Sequence, residues 1–241
     1  MKKIQSIFTV VYIMLVVFFS ACTIDNYDGP DATIAGKVID EITQQPLITE
    51  QPNGFRIEYR QISWDPKASL QYFWGKADGT FRNTKIFAGE YQIRPVEGAF
   101  VTPELQTAKL SGGGQADLTF TVKPCMSIKN VDIIKSIGTL GDPGVKATFT
   151  LQNNVPIQGT TDYRVMVSPN QYTGANIFDP DLSSGAVPFA VGDMNSEISV
   201  ELYGRGTAKF LPGRKYYVRV AARTNNGSGR YNFSPIVEIE F

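Results

Sequence analysis

No histidine occurs among the 241 residues. That absence excludes the usual zinc sites, a serine–histidine–acid triad and the commonest general base. Carboxylate pairs and oxygen-ligated calcium are untouched by it. Cysteine is nearly as scarce, with Cys22 and Cys125 alone. A basic excess is missing as well, since Lys+Arg and Asp+Glu both number 23. Nucleic acid needs a positive stripe, and neither a basic run nor a net positive charge supplies one. No cofactor is implied.

What the chain does have begins with one uncharged apolar run, Ile7 to Phe19, after Lys2 and Lys3. As a helix it reaches about 20 Å, short of the roughly 30 Å bilayer core. It suits the apolar region of a signal peptide. Ser20 and Ala21 are small, as a peptidase site requires, and Cys22 follows. This small-small-Cys ending predicts a lipoprotein signal over residues 1–21, with cleavage before Cys22 and lipid on its thiol. Phe19 stands where Leu is more usual. Each buried methylene contributes about 0.8 kcal/mol, so two or three acyl chains hold the protein to the membrane. Loss of Lys2 and Lys3 leaves 21 basic against 23 acidic residues, a formal charge of −2. With Cys22 committed to lipid, Cys125 stands in no internal disulfide and is expected as a buried, inert thiol.

Residues 22–32 read as a polar tether carrying Asp25, Asp28 and Asp31. Acidic residues this close to a lipidated cysteine resemble the surface-export signal of Bacteroidetes lipoproteins. The resemblance implies an outer-membrane, lipid-anchored protein facing the cell exterior.

The remaining chain, roughly 210 residues, is enough for two domains near 100 residues each. In residues 33–124, Ile34, Gly36 and Val38 suggest an edge-capable first strand. Phe55, Ile57 and Tyr59 share one strand face, with Arg56, Glu58 and Arg60 on the other. Leu70, Tyr72 and Trp74 repeat the pattern, which puts Trp74 toward the core and Phe73 on the opposite side. Asp78-Gly79, Ala88-Gly89 and Gly112-Gly113-Gly114 supply turns. No helical period is sustained, and six or seven short strands are expected. In residues 125–241, clean alternation runs through Val145, Ala147, Phe149 and Leu151, then Tyr163, Val165 and Val167. It recurs through Ile198, Val200 and Leu202, and through Tyr216, Val218, Val220 and Ala222. Asn225-Asn226-Gly227 is a turn, and Ser234-Pro235 opens a last strand from Ile236 to Phe241. The fold class is therefore all-β, two small β-sandwich domains in tandem.

Gly36-Lys-Val-Ile-Asp40, Thr43-Gln-Gln-Pro-Leu47, Asp78-Gly-Thr-Phe81 and Ala88-Gly-Glu-Tyr91 carry a resemblance. They are similar to the carboxypeptidase-regulatory-like, transthyretin-like domain family. The segment from Leu47 to Asp78 is longer than the family pattern. The resemblance implies a non-catalytic accessory or adhesion module, with Asp40 and Asp78 serving turns. Pro212-Gly-Arg-Lys-Tyr-Tyr-Val-Arg-Val-Ala-Ala222 and Ser234-Pro235 resemble the penultimate strand and last-strand entry of a fibronectin type III or immunoglobulin-like sandwich. Together with the lipobox and tether, the two modules resemble a Bacteroidetes lipoprotein family whose biochemical role is not established. Its members are often encoded beside polysaccharide-uptake systems. The resemblance implies a non-enzymatic accessory whose partners are glycans or an outer-membrane transporter with its glycan-binding lipoprotein. A structural or protein-interaction subunit without glycan affinity is the alternative, and a carbohydrate-active enzyme the least favoured.

Sugar rings stack their C–H faces on exposed aromatics, and nearby polar groups fix their orientation. The ligand-binding candidates in the first domain are Trp64, Phe73 and Trp74, with Trp64 the best exposed. In the second they are Tyr172, Asn176 and Phe178, on the long stretch from Asn170 to Gly185. Asp179 and Asp181 are weak calcium candidates, because their spacing does not match an EF-hand loop. No catalytic pair emerges from Asp193, Glu197 and Glu201. Glu197 and Glu201 share a strand face about 13 Å apart, beyond the roughly 5–9.5 Å that glycosidases use.

Overall fold

A computed structural model of the chain describes residues 29–156, 161–224 and 228–241. The segment expected as a signal peptide, Cys22, Asp25, Asp28 and the turn expected at Asn225-Asn226-Gly227 lie outside the described residues. Among the described residues no helix is long and apolar enough to cross a membrane. Asp31–Phe241 form one compact unit.

The first sandwich contains β1 (Ala32–Asp40), β2 (Arg56–Gln61), β3 (Gln71–Trp74), β4 (Thr80–Ile86), β5 (Gly89–Val96), β6 (Phe100–Val101), β7 (Gln106–Leu110) and β8 (Gln115–Pro124). One sheet runs in the order β4-β1-β8-β6 and the other β3-β2-β5-β7. The alternating apolar positions face inward: Ile34 and Val38 from β1, Ile57 and Tyr59 from β2, Ile93 from β5, Phe120 and Val122 from β8. A run of aromatic contacts crosses this core, from Tyr59 to Phe73 at 5.7 Å, to Phe81 at 6.3 Å, to Phe120 at 6.2 Å between ring centroids.

Two expectations change here. β1 is interior, because β8 returns parallel along its free side, from Thr33 opposite Gln115 to Asp40 opposite Val122. The faces of β3 are also reversed. Its register sets Phe73 opposite Ile57 and therefore inward, while Trp74 lies opposite Arg56 and Tyr72 opposite Glu58. Leu70, Tyr72 and Trp74 are consequently exposed. Period two was correctly read, but apolar character misidentified the inward side, because an edge strand carries large apolar residues outward.

The second sandwich contains β9 (Met126–Ile137), β10 (Pro143–Asn153), β11 (Thr161–Ser168), β12 (Val187–Phe189), β13 (Glu197–Leu202), β14 (Lys215–Arg223), β15 (Asn232–Phe233) and β16 (Val237–Glu240). Its sheets run β13-β10-β9 and β12-β11-β14-β15, with β16 also paired to β14. Val145, Ala147, Phe149 and Leu151 bury one face of β10 against Val165, Val167, Val218 and Val220. The last strand is shorter than expected, starting at Val237. The all-β, tandem-sandwich architecture is the one the strand patterns imply.

The β11–β14 sheet is buried on both faces. On its outer face Met166 and Ala221 pack with Tyr231 and Phe233, under Ala175 and Phe178 of the long 170–185 segment. The unbroken runs Val165-Met166-Val167 and Val220-Ala221-Ala222 suit this, since a strand covered on both sides has no polar alternation. The two sandwiches meet along polar bonds. Asn232 donates its Nδ2 to the Ala99 carbonyl at 2.9 Å, and its Oδ1 accepts the Met126 N–H at 2.9 Å. Cys125 is buried beside this contact, its N–H given to the same Ala99 carbonyl.

Gly36 allows β1 and β8 to approach. A Cβ there would stand 2.0 Å from the Leu118 carbonyl oxygen and 2.6 Å from the Phe81 ring. Gly185 opens on free space, with nothing within 4 Å. Gly36→Ala is expected to cost about 2–3 kcal/mol in urea unfolding, and Gly185→Ala to lie close to wild type. Equal stabilities would remove the packing argument for Gly36.

Candidate functional site

The outward residues of β2, β3 and β5 make a mixed aromatic and charged face. Cross-strand register pairs Arg56 with Trp74, and Glu58 with both Tyr72 and Arg94. The Arg56 guanidinium lies 4.3 Å from the Tyr72 ring centroid and 5.6 Å from that of Trp74. It also ion-pairs with Glu97. Glu58 is buried between Arg94, whose Nε donates at 3.0 Å, and Tyr72, whose hydroxyl donates at 3.4 Å. These contacts hold two rings that stay open to solvent, Tyr72 at 40% and Trp74 at 43% exposure.

Arg230, from the second sandwich, approaches the same Trp74 ring to 5.8 Å. The face thus continues across the seam into a groove of about 240 Å³ lined by Glu50, Arg164, Asn176, Arg223, Arg230 and Tyr231. The Tyr231 ring is flanked by Arg223 at 4.7 Å and Arg164 at 6.0 Å. Asp162 holds this stack: its Oδ1 accepts the Tyr231 hydroxyl at 2.8 Å and its Oδ2 accepts Arg223 Nε at 2.7 Å. Burial, reinforced by that hydrogen bond to Asp162, pushes the Tyr231 hydroxyl up to about 12. It remains a donor throughout the physiological range.

Beneath the groove Arg219 is 2% exposed. Its Nη1 donates to the carbonyls of Thr49 at 3.0 Å and Thr173 at 3.1 Å, and its Nε and Nη2 both donate to Ser234 at 3.2 and 2.9 Å. Phe233 covers it at 4.1 Å from the ring centroid. Burial lowers Arg219 to about 9, partly countered by the Glu50 carboxylate, so it stays cationic at neutral pH. Glu50 itself is buried, and its Oε2 accepts the Asn176 N–H at 3.3 Å. Gly174 makes this approach possible, because a Cβ there would come within 2.7 Å of the same Oε2.

The sequence candidates divide. Trp74 is on the face, contrary to the inward position expected of it, and Asn176 lines the groove. Phe73 is a core contact of Tyr59 and Phe81, because its register places it opposite Ile57. Trp64 is 82% exposed but belongs to the loop joining β2 to β3, at the opposite end of the hairpin from Trp74. Tyr172 is exposed, with its N–H bound to Asn170 Oδ1 at 2.9 Å. Phe178 packs on the outer cluster of the β11–β14 sheet, 5.8 Å from Arg164. Asp179 Oδ1 accepts the N–H groups of Asp181 at 2.9 Å and Leu182 at 3.2 Å, a turn role. No cluster of three or more metal-ligating acids or thiols occurs among the described residues. Asp40 and Asp78 likewise accept backbone N–H groups two residues on. Glu201 binds the Tyr203 hydroxyl at 2.6 Å. Arg56, Arg164, Arg223, Arg230 and Tyr231 carry no local signal, because isolated arginines on strands and in loops look like a solvated surface.

The architecture defines a tandem two-sandwich, all-β protein with an aromatic and arginine face spanning its seam. Residues 32–123, which span the first sandwich, match the family model described as the N-terminal domain of DUF3823, a protein of unknown function. Solved structures share the fold over most of the chain. One is a proposed carbohydrate-binding protein from Bacteroides uniformis, 22% identical, with 88% of this chain and 100% of that chain covered at a TM-score of 0.69. A DUF3823 family protein from the same species is 24% identical, with the same coverages and a TM-score of 0.72. Another from Parabacteroides merdae is 20% identical, again covering 88% and 100%, at 0.64. No curated protein matches the chain.

Burial raises the Glu50 carboxyl above its ordinary 4.5, against hydrogen bonds from the Asn176 and Ala175 backbone and the pull of Arg219. The folded chain then keeps a proton that the unfolded chain releases above pH 4.5. Stability from this group is complete below 4.5 and is lost as pH rises through the raised value. Relative to wild type, Glu50→Gln should therefore gain stability as pH rises above 4.5 in denaturant titrations. A difference that stays constant with pH would contradict the assignment.

Proposed function

We propose that this chain is a non-enzymatic, lipid-anchored surface protein of the DUF3823 family that binds glycan as an accessory of an outer-membrane polysaccharide-uptake system. The observation that carries the reading is the pair Tyr72 and Trp74, half-open to solvent and held by Arg56 and Arg230. Aromatic faces receive the apolar face of a sugar ring, and convergent polar groups select its hydroxyls. Here the polar groups come from both sandwiches, so the ligand would lie across the seam. The structural relative from Bacteroides uniformis, itself a proposed carbohydrate-binding protein, supports the same reading. Anchoring rests on the Ser20-Ala21-Cys22 ending, and surface exposure on the acidic tether after it.

The Asp31–Phe241 unit should bind members of a polysaccharide panel in affinity electrophoresis and calorimetry. Trp74→Ala and Tyr72→Ala are each expected to weaken binding about tenfold or more, roughly 1.4 kcal/mol. Trp64→Ala should leave it unchanged. Binding insensitive to both face variants would move the site elsewhere. In cells, Cys22→Ser should abolish acyl labelling, and retained labelling would sink the anchor.

A second reading, a protein-interaction subunit, is favoured by a groove on the seam of about 290 Å³ whose lining includes Ile42, Pro46, Leu47, Ile128, Phe233 and Pro235. Such an apolar recess suits a protein side chain better than a sugar. It gains if no polysaccharide binds and Ile42→Asp abolishes capture of an envelope partner.

A further inference from the structure

We propose that the groove beside Trp74 selects oxyanion-bearing saccharides, those carrying carboxylate or sulfate groups, with Arg164 and Arg230 as the residues that read the charge. The inference rests on the glycan reading and names its ligand class.

The charge balance around the groove is uneven. Three guanidiniums, those of Arg164, Arg223 and Arg230, line it. Two carboxylates stand near, and both are engaged within the protein. Asp162 gives one oxygen to Arg223 and the other to Tyr231. Glu50 turns Oε2 to the Asn176 backbone and is attracted by the Arg219 cation. Arg223 is thus matched, and Arg219 has its own carbonyl set. Arg164 and Arg230 have neither, and among the described residues their side chains make no ion pair and no hydrogen bond. The Nε of each is buried with no acceptor. What holds them is aromatic: Arg164 lies 5.8 Å from Phe178 and 6.0 Å from Tyr231, and Arg230 lies 5.8 Å from Trp74.

Ring contacts of this kind take up no N–H donor, so the Nη edge of each guanidinium stays uncommitted. A planar two-oxygen acceptor matches that edge with two parallel bonds, and a sulfate presents the same spacing. Neutral hydroxyls gain much less from it. With no protein acceptor for either guanidinium among the described residues, their Nη donors are left to an acceptor brought by the ligand. Position narrows the ligand further. Because Arg230 stands over Trp74, a sugar stacked on that ring directs its substituents toward the groove. An acidic sugar in a chain would satisfy the ring and the cations at once.

The test uses the full-length protein in mild detergent and three polysaccharides: polygalacturonate, dextran sulfate and neutral dextran. Poly-glutamate serves as an acidic polymer without sugar rings. At least one acidic polysaccharide should bind at least tenfold more tightly than dextran, and the preference should shrink as salt is raised. Comparing polygalacturonate with dextran sulfate separates carboxylate from sulfate. Arg164→Gln and Arg230→Gln should each erase most of the preference, while Arg230→Lys, which keeps the charge, should retain part of it. Thermal unfolding of each variant separates lost binding from lost folding. Equal binding of dextran and the acidic polymers would overturn the charge selection and leave the glycan reading standing. Poly-glutamate binding as tight as polygalacturonate, with the same arginine dependence, would overturn the saccharide in favour of an acidic peptide. Acidic binding that survives both glutamine changes would overturn the site. No binding by any polysaccharide would overturn this inference together with the glycan reading.

Discussion

A guanidinium withdrawn from water is tolerable only when protein acceptors replace the water it loses. Arg219 meets that condition with carbonyls drawn from three separate segments: Thr49 of the first sandwich, Thr173 of the long loop, and Ser234 beside β15. Thr49 and Arg219 are 170 residues apart in the chain. One side chain therefore ties the first sandwich, the loop and the penultimate strand of the second. Glu50 and Gly174 belong with it, the first as a nearby carboxylate and the second as a residue without a side chain to crowd that carboxylate.

The position of the aromatic and arginine face depends on this seam. Trp74 and Arg56 belong to the first sandwich, while Arg230, Arg164 and Tyr231 belong to the second. Each alone is a modest surface feature. Set side by side they give stacking area, directional donors and local positive charge on a chain with no net positive charge. The β11–β14 sheet contributes by being covered on its outer face, which turns that face into the floor of a site. Loop residues are thus joined here to a sheet face, where strand register sets side-chain position more tightly than a loop does.

Local patterns read well where one face meets one core. The alternation through β10 and β14 identified the residues that fill the second core, and the Asp-Gly turn at 78–79 and the cluster at 112–114 lie between strands as expected. Legibility failed where the determinant is remote. β3 was turned the wrong way because its inward side is decided by pairing with Ile57, not by which of its residues are most apolar. β1 looked like an edge because the strand that covers it, β8, lies some eighty residues downstream. The arginine groove was invisible because Glu50, Arg164 and Arg230 come together only through the seam. One clue was present: Met166 and Ala221 interrupt polar alternation on β11 and β14, and Arg219 shares their face. An apolar outer face carrying an arginine signals cover from another part of the chain.

Amide hydrogen exchange on Arg219→Met tests the central claim most directly. If Arg219 is the tie, protection should fall in residues 47–54 and 170–178 together, while β10 keeps its wild-type protection. Unchanged exchange in both segments, or a uniform loss that includes β10, would contradict the claim that this one guanidinium holds the seam.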